Sequence, residues 1–139
     1  MKKILTILCS AVMLMTISSC TKQYVQPVTN QNLTLVSSLT SNDWTAYTDG
    51  SGSKSYTSAI NVKQLDDNSL KYDGVIVSIS YDNGQTYEQL PEVYGGTSFS
   101  YTYSKGELDL YAQSSDGGTA ILPTDPIKVK IVLVYSDSF

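Results

Sequence analysis

The sequence predicts an all-β fold, a single β-sandwich of Ig-like or Greek-key type with about seven strands. From Asp43 onward, short runs of alternating apolar and polar residues recur at a spacing of roughly 8 to 12 residues, with turn residues between them. No segment keeps the roughly 3.6-residue period of an amphipathic helix. This pattern is typical of antiparallel sheets that pack face to face.

The turn signals set the bounds of the predicted strands. We predict strands at Trp44–Thr48, Tyr56–Val62, Val75–Tyr81, Thr86–Leu90, Ser98–Tyr103, Glu107–Gln113 and Ile127–Tyr135. The most specific turn is Asn83-Gly84, because a two-residue type I′ turn needs positive φ at both positions and this pair adopts it readily. We therefore expect the strands on either side of it to form a hairpin.

The last predicted strand shows which residues face the core, because residues two apart in a strand share one face. Its core-facing residues are Ile127, Val129, Ile131, Leu133 and Tyr135. Lys128 and Lys130 occupy the other face, but Val132 and Val134 continue that face with apolar side chains. We therefore expect a central strand whose C-terminal half is covered on both faces.

The N-terminal segment has the features of an export signal. Lys2 and Lys3 precede an apolar run at residues 4–17, and small residues follow it. The run is shorter than the roughly 20 residues that a membrane-spanning helix needs. Residues 1–19 are therefore predicted to be a signal peptide that is removed on export.

The segment Ile17-Ser18-Ser19-Cys20 resembles the lipobox of bacterial lipoproteins, in which a branched apolar residue and two small residues precede the acceptor cysteine. The resemblance implies that Cys20 is lipidated, with palmitate-type chains, and begins a membrane-anchored mature protein. Each buried CH2 of such chains contributes roughly 0.8 kcal/mol to membrane binding, so the acyl chains would anchor the protein stably to the membrane. The alternative is an ordinary secretory signal with a chance cysteine.

The organisation of the chain then has three parts, a signal peptide at 1–19, the lipidated cysteine with a tether at 20–41, and a β-sandwich domain at 42–139. The tether is rich in Thr, Gln, Asn and Ser and contains Pro27, a composition typical of flexible linkers. Its apolar residues allow one alternative, in which Leu33 to Leu39 adds an edge strand.

The charge of the chain limits the classes of partner that it can bind. All nine basic residues are Lys, against thirteen acids, and two of these lysines lie in the signal peptide. The mature chain is therefore more acidic than the formal net charge of −4. Without Arg or a basic cluster, the sequence lacks the electrostatic features of a nucleic-acid binder, and we predict no nucleic-acid partner.

The residue types also limit the chemistry. The chain has no His, Cys9 leaves with the signal peptide and Cys20 is acylated, which excludes Ser-His-Asp and Cys-His triads and most transition-metal sites. We predict no cofactor and no enzymatic activity. The alternative is a carboxylate-dependent enzyme acting on glycans, which needs two acids about 5 to 10 Å apart. Its candidate acids are Glu88, Glu92, Glu107 and Asp109.

One acidic turn carries oxygen ligands of the kind that calcium prefers. Asp66, Asn68 and Asp73 are weak candidates for such a site. Their spacing does not fit an EF-hand loop, because Leu70 stands at a ligand position and Lys71 stands where that loop needs Gly. An ordinary acidic turn is the favoured interpretation, and no metal site is predicted.

Tyrosine is the one compositional excess, with eleven residues against two Phe and one Trp. Its flat apolar ring and polar tip suit binding surfaces. The candidate ligand-binding residues are Tyr87, Tyr94, Tyr101, Tyr103 and Tyr111. For the face that carries Phe99, Tyr101 and Tyr103, the favoured interpretation is that it is core and that the alternating Ser and Thr residues face solvent.

A series of landmarks runs along the chain. They are Trp44, Gly74-Val75-Ile76-Val77, Leu90-Pro91, Tyr101-Thr102-Tyr103, Gly106-Glu107-Leu108-Asp109-Leu110 and Lys128-Val129-Lys130-Ile131-Val132. Their order resembles a group of small lipoproteins of Bacteroidetes-type bacteria. The resemblance implies a β-sandwich fold and an outer-membrane location for the protein. It carries over no functional residues. In such lipoproteins, acidic residues close after the cysteine are typical of export to the cell surface. Residues 21–25 contain no acid here, so a periplasmic and a surface-exposed location both remain open.

These features together predict a lipid-anchored cell-envelope protein. We expect a non-catalytic binding or structural module whose partner is a glycan or another envelope protein. Besides the carboxylate enzyme, the alternative is a fimbrial or envelope structural subunit, which would present an open sheet edge able to accept a donated strand.

Overall fold

The computed structural model describes residues 31–50 and 52–136. Within these ranges the chain forms two antiparallel sheets with little helix. The strands are β1 (Leu33–Leu39), β2 (Thr45–Thr48), β3 (Lys54–Asn61), β4 (Gly74–Ser80), β5 (Glu88–Gln89), β6 (Glu92–Tyr94), β7 (Thr97–Ser104), β8 (Glu107–Ser114) and β9 (Ile127–Val134). A 3₁₀ turn at Ser41–Asp43 and the helix α1 (Asp67–Tyr72) complete the described elements. The predicted all-β sandwich is confirmed.

The two sheets differ in size and order. Sheet A has four strands in the order β1-β9-β4-β5, and sheet B has five in the order β2-β3-β8-β7-β6. The last strand, β9, lies between β1 and β4, so the prediction of a central strand is confirmed. The short segment from β5 to β6 takes the chain from sheet A to sheet B.

Strand β1 lies within the segment that the sequence assigns to the tether. It pairs with β9 along its whole length, from Leu33 opposite Leu133 to Leu39 opposite Ile127. Leu39 is buried, and Leu33 and Leu35 pack against the core. The edge-strand alternative is therefore confirmed, and the sandwich begins before the predicted boundary at residue 42.

The core lies between the inward faces of the two sheets. Sheet B contributes Leu108, Leu110 and Ala112 from β8, all fully buried. Sheet A contributes the buried residues of its central strands, which are Val75, Val77, Ile79, Ile127, Val129, Ile131 and Leu133. This strict alternation follows from the period of two in β-strands, as predicted for the last strand.

The expectation that the C-terminal half of β9 is covered on both faces is wrong. Val132 and Val134 are only half-buried, because they lie on the outward face of sheet A. A two-layer sandwich covers only the inward face of each sheet. The apolar residues at these outward positions therefore do not belong to the core of this domain.

The turn at Asn83-Gly84 is confirmed in conformation but not in length. Asn83 and Gly84 have φ of 62° and 94°, and β4 pairs with β5 as a hairpin. The connection spans residues 81–87 rather than two residues, and β5 is shorter than the predicted strand. The cause is Asp82, whose Oδ1 accepts hydrogen bonds from the backbone N–H groups of Gln85 and Thr86. These bonds replace the pairing that would continue the strands.

The helix α1 was not foreseen from the sequence, because it is shorter than two turns and leaves no periodic pattern. Asp66 caps its N-terminus by accepting hydrogen bonds from the backbone N–H groups of Asn68 and Ser69, both at 2.9 Å.

Across residues 31–50 and 52–136, no helix has the length and apolar character needed to cross a membrane.

Candidate ligand-binding site

The outward face of sheet B is rich in hydroxyl groups, and we name it the hydroxyl face. Its outward positions are Thr45, Tyr47, Ser55, Thr57, Ala59, Asn61, Val93, Ser98, Ser100, Thr102, Ser104, Glu107, Asp109, Tyr111 and Gln113. They alternate along β8 with the buried core residues Leu108, Leu110 and Ala112. The register aligns Thr45, Thr57, Tyr111 and Ser100 in one row across four strands.

Two tyrosines stand together on the hydroxyl face. The rings of Tyr47 and Tyr111 meet edge to face, with centroids 6.5 Å apart and an interplanar angle of 79°. The Tyr111 hydroxyl lies 3.2 Å from Thr102 Oγ1. Partial burial, and after it the charge of Asp49, raises the pKa of the Tyr47 phenol. Both rings are half-exposed, so a ligand on this face meets an aromatic surface.

A groove of about 520 Å³ opens beside this pair. Its lining residues are Asp49, Gly50, Val93, Ser98, Gln113, Ser114 and Ser115. Gln113 follows Tyr111 on the same face of β8, and Val93 and Gln113 both pair with Ser98. The volume is in the range of about 300 to 1,000 Å³ that is usual for small-ligand sites.

The turn between β2 and β3 forms one wall of the groove. Asp49 holds this turn, because its carboxylate accepts hydrogen bonds from Ser53 N at 3.1 Å and from Ser55 Oγ at 2.8 Å. Ser55 is fully buried although it lies on the outward side of β3. The wall is therefore positioned by internal bonds, and the groove is a formed feature of the fold.

A second aromatic pair lies where the chain passes from sheet A to sheet B. Tyr81 and Tyr94 stack with ring centroids 3.7 Å apart and an interplanar angle of 9°. They line a cleft of about 300 Å³ together with Ile79, Asp82, Thr86 and Glu88. Burial, with a hydrogen bond to Glu92 as the next cause, raises the pKa of Tyr81 well above its usual range. Tyr94 is the more exposed ring, at 46%.

Two of the four candidate acids come together at this pair. Glu92 Oε1 accepts a 2.7 Å hydrogen bond from the Tyr81 hydroxyl, while the buried Oε2 meets no donor among the described residues. Burial first, and then the adjacent carboxyl of Glu88, raises the pKa of Glu92 to about 7. The protonated form of Glu92 carries the hydrogen that its buried oxygen otherwise lacks. Glu88 and Glu92 are thus the two candidate acids that the fold brings near each other.

The other two candidate acids lie apart from this pair. Glu107 and Asp109 occupy the outward side of β8, where Glu107 is exposed and Asp109 is half-buried. They share one face of one strand, as the alternation predicts. Their face of the strand is the hydroxyl face, on the side of the sandwich away from the core.

The five predicted ligand-binding tyrosines do not form one platform. Tyr101 lies on the inward side of β7, and its hydroxyl donates a 2.8 Å hydrogen bond to the carbonyl of Val75 in the other sheet. Phe99, two residues before it, is fully buried, whereas Tyr103 at the end of the strand is 38% exposed. The interpretation of this face as core therefore holds for Phe99 and in part for Tyr101.

The remaining predicted tyrosines occupy three different places. Tyr111 is on the hydroxyl face, Tyr94 is in the cleft with Tyr81, and Tyr87 packs under the Lys130 ammonium at 3.8 Å. Tyr47 and Tyr81 were not among the residues predicted from the sequence. The alternation of the predicted strand at residues 44–48 indicates which face of that strand Tyr47 occupies. Only the pairing of β2 with β3, and of β3 with β8, brings Tyr47 next to Tyr111.

The weak calcium candidates serve structural roles. Asp66 caps α1, and its hydrogen bond from the backbone N–H of Ser69 is the main cause of its lowered pKa. Asp73 Oδ1 accepts a 3.0 Å hydrogen bond from the backbone N–H of Ser136. In the part of the chain that the structure describes, no group of three or more His, Cys, Asp or Glu residues is placed to hold a metal ion.

Cys20 and the predicted signal peptide at residues 1–19 lie outside the described residues. No protein-family model matches the chain, and neither a curated protein nor a solved structure matches it. The features that bear on function are therefore those of the chain itself, and the hydroxyl face with its tyrosine pair and groove is the strongest of them.

Proposed function

We propose that this protein is a lipid-anchored cell-envelope module that binds a glycan, without catalysis, on the hydroxyl face. The observation that carries the proposal is the half-exposed Tyr47 and Tyr111 pair beside a preformed groove lined by serines and Gln113. Aromatic rings offer flat apolar surfaces to the C–H faces of a sugar, and hydroxyl and amide groups match its hydroxyls.

The charge of the hydroxyl face favours a neutral ligand over a charged one. Its outward positions hold no Lys or Arg, and its two acids, the half-buried Asp109 and the exposed Glu107, both lie on β8. A phosphate or carboxylate ligand would lack a cationic partner there. A neutral or weakly charged saccharide needs none.

The anchor follows from the N-terminal sequence. The lipobox at residues 17–20 supports acylation of Cys20, and the resemblance to small Bacteroidetes-type lipoproteins favours the outer membrane. Residues 21–25 favour neither the periplasmic nor the surface side. The proposed partners are therefore the membrane, through the acyl chains, and a glycan, through sheet B.

The test is a glycan array probed with the mature lipidated protein in detergent micelles. We expect a set of related saccharides to bind, and Tyr111→Ala to weaken binding by about tenfold, which corresponds to about 1.4 kcal/mol. Tyr72→Ala is the matched control, because Tyr72 is an exposed tyrosine at the end of α1 and does not line the groove. Equal binding by both variants, or no binding to any saccharide, would contradict the proposal.

A second candidate function is a structural subunit that accepts a strand. β6 pairs only with Thr97 to Phe99, so the rest of β7, Ser100 to Ser104, has no neighbouring strand among the described residues on the side away from β8. Such an edge can pair with a strand from another chain. Concentration-dependent oligomers that are lost on Thr102→Pro substitution would favour this function, and a monomer at all concentrations would contradict it.

A further inference from the structure

The outward face of sheet A has an unusual composition, and we name it the apolar-lysine face. Its outward strand positions are Thr34, Val36, Ser38, Gly74, Ile76, Ser78, Ser80, Gln89, Lys128, Lys130, Val132 and Val134. Four of these residues are apolar and branched, and two are lysines. No described element packs over the centre of this face, since sheet B covers the opposite side.

Two of the four apolar residues of this face are exposed, Val36 at 57% and Ile76 at 38%, and Val132 and Val134 are half-buried. Val132 pairs with Thr34 on one side and with Ile76 on the other, so the apolar residues lie in adjacent rows of three strands. Exposed apolar residues that lie in neighbouring positions on one face are a feature of interaction surfaces.

The charges on this face are of one sign. Lys128 and Lys130 are its charged residues, and none of the outward strand positions carries one of the thirteen acids of the chain. The Lys130 ammonium lies 3.8 Å from the centroid of the Tyr87 ring, at the border of the face. The face is thus basic and apolar on a protein that is acidic overall.

The acids nearest along β4 lie beyond the ends of the strand, and both are engaged. Asp73 accepts a hydrogen bond from Ser136 N, and Asp82 accepts one from the Ser80 hydroxyl. The hydrogen bond from Ser80 is the leading cause that lowers the pKa of Asp82 to about 2. These carboxylates border the face and leave its centre to the lysines and the branched apolar side chains.

We propose that the apolar-lysine face rests on the surface of an anionic lipid bilayer, which is an inference that depends on the anchor in the proposed function. Branched apolar side chains enter the headgroup region, and lysines pair with anionic headgroups. The charge of the face complements such a surface, whereas the acidic remainder of the protein is repelled by it.

The length and position of the tether support the same orientation. Residues 21–32 separate Cys20 from β1, and β1 is an edge strand of sheet A itself. Even fully extended, these residues span at most roughly 40 Å. An acylated Cys20 therefore keeps sheet A within reach of the bilayer, and the two lysines and the apolar patch select which face turns toward it.

This orientation has a consequence for the glycan site. The outward faces of the two sheets point in opposite directions in a two-layer sandwich. With sheet A on the bilayer, the hydroxyl face of sheet B points away from the membrane, where a glycan reaches it.

The test uses single cysteines as sites for an environment-sensitive fluorophore, because Cys20 is acylated and Cys9 leaves with the signal peptide. Ile76→Cys probes the apolar-lysine face, and Ala59→Cys, at an exposed position on the hydroxyl face, is the matched control. The lipidated proteins are placed in vesicles of phosphatidylcholine with phosphatidylglycerol, and quenching by aqueous iodide is compared with quenching by a lipid-borne nitroxide.

We expect the Ile76 label to be several-fold less sensitive to iodide than the Ala59 label, and more sensitive to the lipid nitroxide. The double substitution Lys128→Glu and Lys130→Glu should abolish this difference, whereas Lys54→Glu with Lys63→Glu should preserve it. Thermal unfolding of each variant verifies that it is folded.

Equal quenching at both positions, in protein that floats with the vesicles, would overturn the orientation and leave the anchor and the glycan site standing. Protein that fails to float would overturn the anchor and this inference together. Glycan binding is measured on the same vesicles, so a failure of the hydroxyl face is recorded separately.

Discussion

The hydroxyl of Tyr81 donates a 2.7 Å hydrogen bond to Glu92 and so connects the residue after β4, in sheet A, to the first residue of β6, in sheet B. Glu92 is the acid whose second oxygen is buried and meets no donor within residues 31–50 and 52–136, and the neighbouring Glu88 contributes to its raised pKa. The Tyr81–Glu92 hydrogen bond therefore links the contact between the two sheets on this side of the sandwich to the protonation state of Glu92.

The first prediction is that the fold loses stability as the pH rises through neutrality. The pKa of Glu92 is raised from 4.5 to about 7 in the folded protein, chiefly by burial. Folding thus favours the protonated acid, and this stabilisation is present at pH 5 and is lost as the pH rises through about 7. We expect a higher Tm at pH 5 than at pH 8, measured by circular dichroism.

Glu92→Gln tests the cause of this pH dependence. The amide keeps the shape of the protonated acid and does not ionise, so the variant should show a flatter Tm profile and a higher Tm than the parent at pH 8. Glu107→Gln, at an exposed position on β8, serves as the control. If both variants keep the parent profile, the ionisation of Glu92 does not cause the pH dependence.

A second prediction concerns the hydrogen bond between the sheets. Tyr101→Phe removes the hydroxyl that donates to the Val75 carbonyl at 2.8 Å and keeps the ring. We expect the free energy of unfolding in urea to fall by about 1 kcal/mol, the usual net value of such a bond. Tyr103→Phe, at the exposed end of the same strand, should change it by less than half as much. Equal effects would show that the bond from Tyr101 has no special weight.

The third prediction concerns where the domain begins. A mature chain that lacks residues 21–31 should keep the parent Tm, because β1 remains intact. A chain that lacks residues 21–40 also loses β1, whose leucines pack on the core. That deletion should remove roughly 3 kcal/mol or more of the free energy of unfolding. A similar Tm for the two deletions would restore the predicted boundary at residue 42.

Much of the fold could be predicted because alternation is a local property. The inward and outward positions of β8 and β9 follow from their sequences alone, and the positive φ of Asn83 follows from its residue type. Strand β1 was harder to assign, since Thr and Ser at its outward positions give it the composition of a linker. Its leucines show their role only when β9 lies beside them.

The candidate site could be predicted only in part, because it depends on pairing between distant strands. Tyr111 was among the predicted ligand-binding residues, and its position on an outward face agrees with the structure. Tyr47 reaches it only because β3 lies between β2 and β8, an order that no local pattern specifies. The contact of Glu88 with Glu92 likewise depends on the crossing from sheet A to sheet B.

The last prediction separates the two contributions that Tyr47 makes to glycan binding. Tyr47→Phe keeps the ring beside Tyr111 and removes the hydroxyl, so affinity measured by calorimetry should fall by less than about threefold. Tyr47→Ala removes the stacking surface as well, and affinity should fall by about tenfold, or about 1.4 kcal/mol. Tyr87→Ala, on the opposite sheet, is the control and should bind as the parent does. If the Phe and Ala variants lose equal affinity, the hydroxyl rather than the ring contacts the ligand, and the aromatic pair is not a stacking platform.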